Sequence, residues 1–352
     1  MAFPIFLSFV LSISNFNGGK IFAGGGWKLT GGQQYIRLFS DPYFWHAFKN
    51  NILIVLVSVL GQLPLGLFLA YLIYRKIVRG GDFWQGILYV PAIISVIVIG
   101  IMWNLIFSPY GPLSAVINKY YSLTFHAKVS QVVAASVTSD GHLHLTDVLV
   151  NKLIALNPSG AAGVFPAPVA GGLKDFLAST SGETIKEIEQ DLTNLLAPVW
   201  SADFLSNPKT AMIPILFVIL WCWTGMYMIL FLANMQKIDP QTIESAQIDG
   251  AKEKSILVHI ILPELSGVIM NAAILCISGS LNSFALIYAM TGGGPARMTQ
   301  VLSIYMYEKA FMGTPDYPLA NAISMMMVLF SLILIILTKK VQKYFEGGSD
   351  EI

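Results

Sequence analysis

Charge is scarce in this chain. Its 352 residues hold 21 Lys and Arg and 20 Asp and Glu, 12% in all, against 55% apolar residues. A soluble globular domain carries about 25% charged residues, so this composition does not build an ordinary water-facing surface. The formal net charge of +1 gives no general attraction for nucleic acid or another acidic polymer. Cysteine is almost missing, with only Cys222 and Cys276. Both fall in apolar runs, which excludes a disulfide framework and a thiolate metal site and leaves them as small core residues. No G-x-x-x-x-G-K-[ST] pattern occurs, so nucleotide chemistry has to belong to another chain. None of the long apolar runs contains Asp, Glu or His. An intramembrane enzyme needs such a cluster at membrane depth, so no catalytic residue and no metal site are assigned.

What is present is apolar length. The few charges gather in blocks between runs long enough to span a bilayer, about 20 residues each. These runs cover 52–74, 84–107, 211–234, 267–290 and 319–338. Gly61, Gln62 and Pro64 interrupt the first of them and Pro91 the second. Residues 1–15, MAFPIFLSFVLSISN, are apolar but too short to cross about 30 Å of hydrocarbon. They lack the basic start and small-residue cleavage site of a signal peptide, and read as part of a first span. Residues 16–48 read as a Gly-rich loop leading into a short surface helix. The expectation is an all-α polytopic membrane protein with six spans, divided at 1–108, 109–208 and 209–352.

Residues 109–208 break the apolar rhythm. Within 118–207 there are five Lys and eight Asp or Glu. Ser139-Asp140-Gly141 reads as a hairpin turn, and Thr146 and Ser181 read as caps of helices ending near Leu156 and Leu196. This predicts a small inserted α+β module. His142 and His144 share one face of its strand. Two histidines make an incomplete metal site, and a solvated face accounts for them. The run Glu183, Lys186, Glu187, Glu189, Asp191 reads either as the wet face of a helix or as a docking surface.

One of the few strongly polar stretches in the chain is 239–263. Asp239-Pro240 is a helix start, a capping side chain followed by a proline pre-set for the first turn. Gly250 can take the left-handed conformation that ends a helix. A second helix over 252–261 is predicted to stop at Leu262-Pro263, because proline has no N–H to give. The product is a helix–turn–helix hairpin.

Its spacing resembles the signature loop of bacterial ABC importer permeases: E-A-A, three residues, G, nine residues, I, one residue, L-P. Here Glu244, Ser245, Ala246, Gly250, Ile260 and Leu262-Pro263 fit every interval, with Ser245 replacing one alanine. Thr291 to Pro295, TGGGP, matches the segment that follows the corresponding helix in carbohydrate-type permeases. Residues 35–48 and 301–312 resemble two further family segments, and Phe3-Pro4 with Ser8, Ser12 and Phe16 resembles the family's first helix.

The resemblance implies the type I importer permease fold, an inner or plasma membrane location in a bacterium, and transport rather than catalysis. It implies a second homologous permease, two copies of a cytoplasmic ATPase that uses ATP and magnesium, and an extracytoplasmic solute-binding protein. No cofactor would be bound by this chain. Glu244, Ser245, Ala246, Asp249 and Gly250 would couple to the ATPase, although Asp249 and Gly250 can equally serve only the fold of the turn. Trp223, Ser280, Asn282 and Ser283 would line a sugar pathway worked by alternating access, the serines being also common helix–helix glue. Gln62 and Asn104 are weaker candidates. Placing the hairpin inside puts nine Lys and Arg in the short inner segments and six in the short outer ones, which agrees with the positive-inside rule. The insert then faces outward, where it could hold the binding protein. A polyol or glycerol phosphate is the alternative solute, and a non-transporting scaffold the alternative of another class.

Overall fold

The computed structural model describes residues 2–16, 18–19, 27–108, 110–117, 119–120 and 204–347. Among them the secondary structure is helical, apart from one isolated bridge between Ser14 and Leu29. The chain divides into a larger unit, Met1–Asn104 with Leu205–Ile352, and a smaller one, Leu105–Phe204.

In the larger unit a short apolar helix, α1 (Ala2–Ser12), is followed by α2 (Gln33–Phe39). Asp41 then caps α3 (Pro42–Val57), accepting from the Tyr43 N–H at 2.9 Å, with Pro42 in the first turn. The helix that carries the second span therefore begins at Pro42, ahead of the apolar run at 52. A π turn over Ser58–Gln62 carries the helix into α4 (Leu63–Tyr74), so Gly61 and Pro64 do not end it. The result is one 33-residue rod, about 50 Å long at 1.5 Å per residue.

The third expected span is not one helix. Pro91 weakens the ladder, Ile94 turns extended, and α5 (Gly81–Ile93) meets α6 (Val96–Ile106) at 97°. The fourth span, α7 (Met212–Met235), lies close to its expected bounds.

The hairpin follows as α8 (Pro240–Ile248) and α9 (Glu253–Glu264). Pro263 does not stop α9. A π turn at Leu257–Ile261 precedes it, and the helix ends only after Glu264. From there α10 (Ser266–Leu281) departs at 69°. The fifth span is itself interrupted, since Asn282 and Ser283 form a turn before α11 (Phe284–Thr291). Helices α12 (Leu302–Phe311) and α13 (Tyr317–Gly347) complete the unit. Among the described residues three helices are long and apolar enough to cross a membrane, or five if each bent pair counts once.

Lipid tails are as apolar as leucine, so spans associate through close packing more than through water exclusion. Two glycines let the backbone of a neighbouring helix come close to α7. A Cβ on Gly66 of α4 would meet Met228 N and Tyr227 Cβ at 3.0 Å. A Cβ on Gly225 of α7 would lie 1.9 Å from the Leu88 carbonyl oxygen of α5. The core around this crossing contains Leu63, Ala70, Tyr71, Met228, Phe231 and Met235, and it continues without a break into Ile243, Ile256 and Ile261 of the hairpin. A second core, Leu38, Phe44, Ala47, Leu302, Tyr305, Leu319 and Ile323, fastens the Pro42 end of the rod.

In the smaller unit, Ser114 Oγ donates to the Ser108 carbonyl at 2.7 Å at the start of a helical stretch over 112–117. The Phe107 and Phe204 rings stand edge to face, 6.1 Å apart. Apart from 119–120 and 204–207, the expected module at 118–207 lies outside the described residues, with its hairpin, its two helices, His142, His144 and the Glu183–Asp191 run.

Candidate functional site

The hairpin is built from local signals. Asp239 Oδ1 accepts from the Gln241 N–H at 2.9 Å and opens α8. At the other end Gly250 adopts φ 82°, in the left-handed region. Its N–H donates to the Gln247 carbonyl at 3.0 Å, and the Ala251 N–H donates to that of Ala246 at 2.9 Å. This paired closure satisfies carbonyls that α8 would otherwise leave free. Glu244, Ser245, Asp249 and Gly250 are exposed and Ala246 is half-buried. No described residue pairs with the Glu244 or Asp249 carboxylates. Ile248 is 86% exposed at the tip, an apolar side chain that none of the described residues covers. Sequence reasoning passed over Ile248, although an isoleucine beside Gln247 and Asp249 was a visible signal.

The second arm is held by an ion pair that the sequence does not announce. Arg75, at the end of α4, grips Glu253 with two N–H groups, at 2.9 Å to Oε2 and 2.6 Å to Oε1. The Tyr71 hydroxyl donates to the same carboxylate at 2.5 Å. The hydrogen bonds to Glu253 hold the Arg75 pKa above the usual guanidinium value. Both arms are thus tied to the spans, α8 through Ile243 and α9 through Ile256 and Glu253.

Half of the Glu253 side chain is exposed, 52%, so the pair is worth about 1 kcal/mol or less in stability. Its expected importance is in alignment. Arg75→Glu should speed amide hydrogen exchange over 252–264, and the swap Arg75→Glu with Glu253→Arg should bring the protection back. A swap no better than the single variant would mean the pair does not align the arm.

The four pathway candidates come together at the middle of the rod. Trp223, Ser280 and Ser283 line a cavity of about 300 Å³ with Ser58, Gln62 and Tyr227. A smaller adjoining space of about 80 Å³ adds Asn282 and shares Trp223 and Ser283. The serine hydroxyls donate to their own backbone, Ser280 to the Cys276 carbonyl at 2.7 Å and Ser283 to the Ser280 carbonyl at 2.6 Å. Their oxygens stay available as acceptors. Ser58 is fully buried and its hydroxyl has no hydrogen-bond partner among the described residues. It sits in the π turn, and nothing in the sequence had marked it. Gln62 is structural as well as cavity-lining, its Nε2 donating to the Ile219 carbonyl at 3.0 Å. Asn104 joins a different place, donating to the Met290 carbonyl at 2.5 Å.

At the Pro42 end of the rod two stretches far apart in sequence converge, 41–51 and 294–305. Asn50 Nδ2 donates to the carbonyls of Met298 and Gln300 at 2.9 and 2.8 Å. Asn51 Oδ1 accepts from the Leu302 N–H at 2.8 Å. The Tyr305 hydroxyl donates to Asp41, and burial raises its pKa. Thr299 Oγ1 donates to the Gly294 carbonyl at 2.6 Å and closes the glycine loop. The two stretches take in parts of 35–48, 291–295 and 301–312 together with the residues that adjoin them.

Residues 62–348 match the family described as binding-protein-dependent transport system inner membrane component. A probable ABC transporter permease protein of Pyrococcus horikoshii is 28% identical over 310 residues, 88% of this chain and 80% of that protein. The lactose transport system permease protein LacF of Rhizobium radiobacter is 25% identical over 336 residues, 95% and 86% of the two chains. A bacterial alginate ABC transporter, solved in complex with an alginate pentasaccharide-bound periplasmic protein, aligns with a TM-score of 0.55 at 19% identity over 89% of this chain and 83% of that one. At that identity the likeness is one of fold. The hairpin, the bent spans and these matches agree: the chain belongs to the binding-protein-dependent transport system inner membrane component family, as a multi-pass membrane permease and not an enzyme.

Proposed function

We propose that this chain is one of two permease subunits of an ATP-driven importer that carries an oligosaccharide by alternating access. The observation that carries the reading is the mid-rod cavity, where an indole beside hydroxyl and amide groups offers an apolar face and hydrogen bonds together. A sugar ring needs both, since its C–H face stacks on an aromatic and its hydroxyls need partners. The lactose permease relative supports a saccharide. The alginate transporter's complex with a periplasmic protein supports delivery by an extracytoplasmic binding protein. Two copies of a cytoplasmic ATPase, using ATP and magnesium, would grip the hairpins through Glu244, Ser245, Ala246, Asp249 and Gly250. A polyol or glycerol phosphate is the weaker reading, because no Lys or Arg lines the cavity to meet a phosphate.

Reconstituted with its partners, the chain is expected to import a labelled oligosaccharide and not glycerol phosphate. Ser280→Leu or Ser283→Leu should lower uptake by about tenfold or more, as expected when a branched side chain fills a fitted site, while the complex still assembles. Unchanged uptake kinetics in both variants would move the pathway elsewhere. Import of glycerol phosphate without any saccharide would overturn the sugar reading.

A further inference from the structure

At the Tyr74 end of the rod, α4, the loop to α5, and α7 enclose a cavity of about 580 Å³ that neither coupling nor passage uses. Lys76 and Arg79 line it, with Tyr74, Gln85, Gln236 and one carboxylate, Asp82. Neither cation has an ion-pair partner among the described residues. The amino end of α5 lines the same space, and no side chain caps it. Unsatisfied N–H groups at a helix start favour an anion. Beside this polar space the surface is apolar: Ile77, Phe83 and Trp84 are 55%, 67% and 46% exposed. Aromatic and aliphatic side chains next to paired cations, at the end of a spanning helix, are the pattern of a membrane–water interface.

We propose that this cavity binds the phosphate of an anionic phospholipid, with the acyl chains lying along Ile77, Phe83 and Trp84. The apolar flank favours a ligand that carries chains over free phosphate. The two cations favour an acidic headgroup over a zwitterionic one, whose own cation would face Lys76 and Arg79. Basic pockets between spans recognise acidic headgroups on these grounds. Asp82 works against the ligand, so removing its charge should strengthen binding.

The full chain in detergent would be titrated with phosphatidylglycerol or phosphatidylcholine, and retained lipid read by native mass spectrometry. The unmodified chain is expected to keep phosphatidylglycerol in preference. Lys76→Gln with Arg79→Gln should lower that retention by about 25-fold, about fivefold for each cation near a membrane surface. Asp82→Asn should raise it. Lys339→Gln with Lys343→Gln, removing two cations at the end of α13, should leave it unchanged. Inorganic phosphate should not displace the lipid. Size-exclusion profiles and circular dichroism check that each variant is folded. The proposal is overturned by unchanged retention in the Lys76/Arg79 variant, by equal loss in the Lys339/Lys343 variant, or by equal retention of phosphatidylcholine. Full displacement by inorganic phosphate would also overturn it, leaving an anion site without a lipid.

Discussion

Glu244→Lys is expected to yield a chain that inserts and folds normally but loses its ATPase on purification and imports no solute. The carboxylate is exposed and pairs with none of the described residues, so its loss costs the fold almost nothing. Any large effect has to come from a partner, where reversing the charge turns attraction into repulsion in a partly dried contact. Gly250→Val should give the same phenotype by another route. Gly250 holds φ 82°, and nothing lies within 4 Å of the point where a Cβ would stand, so valine meets no steric clash. It meets backbone strain of about 1–2 kcal/mol, relieved by reshaping the turn and moving Ile248 at the tip. Co-purification of the ATPase, with hydrolysis and uptake measured on one membrane preparation, decides the matter. Normal binding and coupled uptake in both variants would remove the hairpin from the transmission path.

Gly225→Val should have the largest effect on stability. Its Cβ would lie 1.9 Å from the Leu88 backbone oxygen, and a backbone atom cannot rotate aside as a side chain can. Helices α5 and α7 would have to separate, at a cost of about 3 kcal/mol or more, and the core that runs into the hairpin would open with them. The expected result is loss of folded chain, or a strong fall in the thermal midpoint of the purified protein. Gly86→Ala is the matched control. Nothing lies within 4 Å of that position, so removing a helical glycine there should be neutral or slightly stabilising. A Gly225 variant as stable as the Gly86 variant would mean the two helices do not meet as described.

Local signals made the hairpin legible in the sequence. The Asp239 cap, Pro240 and Gly250 each act within a few residues, and each does in the structure what its chemistry suggests. Signals that depend on distant partners could not be read. His46, Lys49, Asn50 and Asn51 put the expected start of the second span at residue 52, yet the two asparagines bond to the backbone of 298–302, and the polar stretch before that point belongs to the same helix from Pro42. Arg75 and Glu253 are 178 residues apart, and no spacing rule links them. Proline misled three times. Pro263 was expected to end α9 and Pro64 to disturb the second span, yet each follows a π turn that has already rearranged the ladder. In the third span Pro91 was expected inside a continuous helix, and the chain instead bends by 97° shortly after it. Asn282 and Ser283 were placed on a helix and lie in a turn, where small polar side chains satisfy their own backbone. Trp223, Ser280 and Ser283 do gather at one cavity, with Asn282 in the space that adjoins it, but Ser58 was invisible because a π turn leaves no clear trace in composition.

That π turn sets azimuth. Counting about 100° per residue, an unbroken α-helix would swing the buried positions of α4, Leu63, Gly66 and Ala70, about a third of a turn away from Phe44, Ala47 and Ile54 of α3. The wide turn stores one extra residue and takes up most of that angle, so both halves present their buried faces to the same side. Asp41 at one end and Arg75 at the other are thereby keyed in rotation by a single stored residue. Were the turn to tighten into ordinary α-helix, the rod would change little in length, but Arg75 would be carried around the axis by about 100°, off the carboxylate of Glu253.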